Sequence, residues 1–87
     1  MSDTYKLKDG FQVHKFLQLV NVSFVFSVTD NSDEFLLLNL NEFGTFNKEK
    51  VDKLTEKNRV LIINNDTLEM TAYNIPEADM IPALMSM

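Results

Sequence analysis

The sequence predicts an α+β fold. It reads as one small two-layer domain over residues 1–87, in which two hairpins form a four-stranded antiparallel sheet with two or three helices on one face (α-β-β-α-β-β-α). Three observations carry this expectation. Two pairs of segments show the apolar alternation of strands, a cluster of Asn, Asp and Ser separates the members of each pair, and the intervening segments repeat apolar residues at helical spacing. A chain of 87 residues buries a modest core, so each element must contribute a face to it.

The elements follow in order. Val13, Phe16, Leu17 and Val20 keep the i, i+3, i+4, i+7 spacing of a helix, and Asp9 with Gln12 resembles a capping box at its start. Tyr5-Lys6-Leu7 around Asp9-Gly10 admits a small hairpin as the alternative. From Val20 to Thr29, Val20, Val22, Phe24, Phe26 and Val28 alternate with a more polar set, as in a strand with one apolar face. Asp30-Asn31-Ser32-Asp33 supplies turn residues, and a second strand runs from Glu34 to Asn41 with Leu36, Leu38 and Leu40 on one face and Phe35 and Leu37 on the other, so that cover on both sides is expected at its start. Asn47 is a good N-cap for a helix over Lys48–Lys57 that faces inward through Val51 and Leu54. Arg59 to Ile63 is a short β-branched run, Asn64-Asn65-Asp66 suits a tight turn that accepts positive φ, and Leu68, Met70 and Ala72 alternate in the strand that follows. Pro76 opens a last helical turn favoured by Glu77 and Asp79, and Pro82 is expected to stop or kink it.

Composition excludes many kinds of chemistry. The absence of Cys removes disulfides, thiolate metal sites and a cysteine nucleophile, and two Gly leave no glycine-rich phosphate loop. His14 is the single histidine and has no Ser or carboxylate at a spacing that would orient it. Asp30, Ser32 and Glu34 begin like a calcium loop, but Phe35 stands where that loop needs Gly and Asn41 where it needs Glu. The expectation is therefore a protein that is not an enzyme and takes no cofactor and no metal. No apolar run nears the length of a membrane span, and Met1 to Lys6 lacks the apolar core of a secretory signal. The expected location is the cytoplasm. Nine Asn, seven Lys and seven Phe beside one Arg suggest AT-rich coding, as in many phages.

Charge is segregated. The net charge is −5, yet residues 20–47 and residues 60–87 each hold four acids and no cation, whereas residues 48–59 are net +2. Both hairpins are thus acidic, which disfavours direct nucleic-acid binding and favours a basic protein partner. Asp30, Asp33, Glu34, Asp66 and Glu69 are the expected contact residues. Asn21, Ser23, Ser27, Thr29, Asn39, Asn41, Thr67, Thr71 and Tyr73 are expected on an uncharged polar face. The apolar segment 75–87 either closes the core or forms an interface, with Tyr73, Met80, Ile81, Leu84 and Met85 as the residues for it. The expected function is an acidic protein-binding module, as in phage or mobile-element accessory proteins that block a host or defence factor by occupying a basic surface. The alternatives are a self-assembling homo-oligomer, a DNA-mimic inhibitor and a small enzyme resting on His14.

Overall fold

The computed structural model describes residues 2–29, 33–38 and 44–86. Nine elements follow one another: β1 (Ser2–Lys6), α1 (Gly10–Leu17), β2 (Phe24–Val28), β3 (Glu34–Leu38), β4 (Thr45–Asn47), α2 (Lys48–Thr55), β5 (Val60–Asn64), β6 (Glu69–Tyr73) and α3 (Glu77–Met85). The α+β class holds, with three helices. The sheet differs from expectation: it has six strands in the order β1-β6-β5-β2-β3-β4, and it is mixed. The two central strands, β2 and β5, pair in parallel over Phe24↔Val60 to Val28↔Asn64, and the other pairings are antiparallel.

The helices lie on both faces, which corrects the two-layer expectation. β1 and β2 are parallel and α1 crosses between them; β4 and β5 are parallel and α2 crosses between them. The two crossovers travel in opposite directions across the sheet. The right-handed rule for such connections then sends their helices to opposite faces. Two separate cores agree. Phe16 and Leu17 of α1 and Met80 and Ala83 of α3 pack over Val25, Leu61, Ile63, Met70 and Ala72. Val51 of α2 packs over Phe26, Phe35, Leu37 and Val60 on the other face. Phe26 anchors this second core, with ring centroids 6.3 Å from Phe35 and 5.4 Å from Phe46 in edge-to-face geometry. The chain thus contains two βαββ units, β1-α1-β2-β3 and β4-α2-β5-β6, each lending its first strand to the other's hairpin. α3 has no counterpart in this pseudo-symmetry.

The local expectations fare well at the helix starts. Asp9 accepts from the Gln12 amide at 3.1 Å, and the Gln12 side chain accepts from the Lys8 amide at 3.0 Å. Asn47 accepts from the Lys50 amide at 2.9 Å, as its N-cap role requires. In the β5–β6 turn the Asn64 side chain accepts from the Asp66 and Thr67 amides, but the positive φ falls on Leu68 (61°) rather than on the Asn-Asn-Asp run. The strand faces differ more. In β2, Val25 and Ser27 are buried as well as Phe26, because both faces of a central strand are covered. In β3, Phe35 and Leu37 are the buried pair and Leu36 is 48% exposed. The expected polar face does not form: Ser27 is buried, Tyr73 packs against the α2 core, and Asn39 and Asn41 lie outside the described residues. α3 runs through Pro82 to Met85 instead of stopping there. Pro82 gives no N–H to the Ala78 carbonyl, but Ala78 is exposed and water can take that group.

Candidate functional site

The parallel β2–β5 pair decides where the charged turns go. Both strands end at the same edge of the sheet, so the β2–β3 and β5–β6 turns emerge side by side; the Asn65 amide donates to the Val28 carbonyl at 2.8 Å. Asp33 and Glu34 open β3, Asp66 lies in the β5–β6 turn, and Glu69 opens β6, all four exposed. The structure therefore gathers these acids at one end, whichever unit supplies them. Asp30 lies outside the described residues.

A shallow groove of about 220 Å³ enters this end between β2, β3, β4 and the second turn. Glu34, Leu36, Thr45 and Asn65 line it. Glu34 and Leu36 stand two residues apart on β3 and share a face, the one α2 does not cover. A carboxylate beside an exposed leucine suits a basic side chain, whose methylene stem can lie on the leucine while its head meets the acid. Leu36 and Thr45 were not among the expected contact residues. The run Phe35-Leu36-Leu37-Leu38 signals a strand apolar on both faces, and only the tertiary arrangement shows which face is left open.

Lysines border the acidic end. Lys6 stands directly opposite Glu69 in the β1–β6 register, and the Lys48 amide donates to the Asp33 carbonyl at 2.9 Å, which brings the start of α2 beside β3. The single arginine serves elsewhere. Arg59 lies just before β5, donates to the Asn21 carbonyl at 2.8 Å and pairs with Asp79 at 2.5 Å. It ties α3 to the chain entering β2, at the opposite end of the sheet from the acids.

The residues assigned to an apolar interface separate into three groups. Met80 is fully buried and Leu84 half-buried, so both belong to the core. Tyr73 lies on the other face, against the α2 core. Ile81 and Met85 are exposed, one helical turn apart on α3. The 75–87 segment is therefore core on one side and open surface on the other. Near the start of α3, the Tyr5 hydroxyl is buried with no hydrogen-bond partner among the described residues; burial pushes its pKa up, and the carboxylates of Asp3 and Glu77 add to the shift.

His14 is exposed on α1. Among the described residues no group of three or more His, Cys, Asp or Glu side chains is placed to hold a metal ion, and no helix is long and apolar enough to cross a membrane. No family model matches the chain, and no curated protein or solved structure matches it either.

Proposed function

We propose that the chain is a non-enzymatic protein-binding module that occupies a basic surface of another protein with the acidic end of its sheet. The observation that carries this reading is the parallel pairing of β2 and β5, which sets two cation-free turns beside each other next to the Glu34–Leu36 groove. Acids on two adjacent turns raise the local negative potential more than either turn alone, which speeds encounter with a basic partner and selects against an acidic one. The bordering Lys6 and Lys48 favour a protein partner over DNA mimicry, since they interrupt an array that would have to imitate phosphates. Blocking the partner's own basic site, as an accessory inhibitor does, is the mode of action that fits this surface; the cytoplasm fits as its location.

The test is affinity capture with the immobilised full-length chain. A variant carrying Asp33→Lys, Glu34→Lys, Asp66→Lys and Glu69→Lys serves as the comparison. The expected outcome is one protein with a basic surface, retained by the wild-type chain, released as salt rises and lost with the variant. Equal retention by both chains would remove the acidic end from the function.

A further inference from the structure

We infer that the outward face of α3 is the interface of a symmetric homodimer, with a second copy of this chain as its occupant. α3 is apolar on both sides. Met80 and Ala83 face the core, yet Ala78, Ile81, Pro82 and Met85 are exposed on the outside, Ile81 at 43% and Met85 at 80%. A helix that is apolar all round is normally buried all round, and nothing within the described chain covers this side.

The charges around the helix say what covers it. At its N-terminal end Asp3 of β1 and Glu77 line a groove of about 420 Å³ with Asn74, Ile75 and Pro76. At its C-terminal end Lys6, Lys8 and Gln12 line a groove of about 250 Å³ with Leu7 and Leu84. Lys15, exposed one turn after Gln12 on α1, extends the basic side, and beyond the helix Leu19 lines a third groove with Ala78, Pro82 and the Arg59-paired Asp79. The apolar ridge thus has an acidic corner at its N-terminal end (Asp3, Glu77) and a basic flank toward its C-terminal end (Lys6, Lys8, Lys15). Such a surface complements itself. A two-fold rotation lays ridge on ridge and sets the acidic corner of each copy against the basic flank of the other, forming the contact twice in a closed, isologous pair. The small Ala78 and Pro82 let the two helices approach closely. The interface uses none of Asp33, Glu34, Asp66 and Glu69, and the dimer would carry two acidic sheet ends.

Sedimentation velocity on the full chain, from micromolar to near-millimolar concentration, tests the inference. The expected mass is twice the 10.0 kDa of one chain. Ile81→Lys with Met85→Lys should yield a monomer with an unchanged circular dichroism spectrum, because both positions are exposed. A second pair of variants tests the charge arrangement: Asp3→Lys with Glu77→Lys, and separately Lys8→Glu with Lys15→Glu. Each alone should dimerise about tenfold or more weakly, and an equimolar mixture should form a heterodimer as tight as the wild-type pair. A wild-type chain that stays at 10.0 kDa throughout overturns the inference. So does a dimer that survives the lysine substitutions, or a mixture that associates no better than its components.

Discussion

Asn74 offers a sharp test of how the two faces of the sheet are held together. It follows β6 with φ of 60°, and its side-chain amide donates to the Thr55 carbonyl at 2.7 Å and to the Asn58 carbonyl at 2.8 Å. The Thr55 carbonyl is in the last turn of α2, where a helix leaves acceptors without intrahelical donors, and the Asn58 carbonyl lies in the segment that leads from α2 to β5. One residue therefore closes α2 on one face while steering the chain toward α3 on the other. Asn74→Ala removes both hydrogen bonds. The site is exposed, so water re-solvates the carbonyls and each bond is worth only about 0.5–1 kcal/mol. Ala also tolerates the left-handed conformation less well than Asn, at a cost of about 1 kcal/mol. The expected loss is about 2–3 kcal/mol, which for a domain of this size lowers Tm by roughly 10–20 °C. Asn74→Gly loses the hydrogen bonds but not the backbone freedom, so its loss should be about 1–2 kcal/mol. Urea and thermal unfolding followed by circular dichroism measure both variants. Equal destabilisation by Ala and Gly would refute the backbone argument, and a loss below about 0.5 kcal/mol for Asn74→Ala would refute the role of the hydrogen bonds.

Two further substitutions test the α3 side. Tyr5→Phe removes a buried hydroxyl that has no partner among the described residues and should stabilise the fold by about 1 kcal/mol in urea titration. It should also flatten the alkaline limb of the stability profile. The folded phenol sits above its ordinary value of 10.0, so the unfolded chain ionises first and wild-type stability falls as pH rises past that value; the Tyr5→Phe variant lacks this contribution. Pro82→Ala restores an N–H for the Ala78 carbonyl within α3 and should raise stability by about 1–3 kcal/mol, measured at low protein concentration so that association does not contribute. No gain would mean that the helix is already distorted at Pro82 and has no bond to recover.

Local chemistry was the most readable part of the chain. Asp9 and Asn47 cap the helices that their types and spacing indicate, and Asn64 closes the second hairpin turn. Met70 and Ala72 bury the face their alternation assigns. The two added strands carry little pattern. β1 has one apolar side chain, Tyr5, among the five residues from Ser2 to Lys6, and β4 is three residues long. Such edge strands are held by backbone pairing with a single neighbour, which needs no alternation. A clue to the covered faces was present in Phe24-Val25-Phe26 and Val60-Leu61-Ile62-Ile63. Apolar runs of this kind fit strands buried on both sides, which a two-layer sheet cannot provide. The acids of the sheet end are identifiable by type, and charge alone marks Glu34 and Asp66. Nothing local marks Leu36 or the α3 ridge, because an apolar residue in a strand or helix reads as core until its neighbours are placed.

The sequence by itself determined the α+β class, the helix caps, the two acidic hairpins and the apolar character of the last segment. These depend on propensities and on charges a few residues apart. The tertiary structure alone decided that β2 and β5 run in parallel, that α1 and α2 cover opposite faces, and that one side of α3 stays open. Those features follow from which strands pair across long stretches of chain and from the handedness of the crossovers, and no local pattern encodes either. The parallel pair converts two separately acidic turns into one charged end, and the unmatched α3 converts an apolar tail into a surface that a second copy can cover.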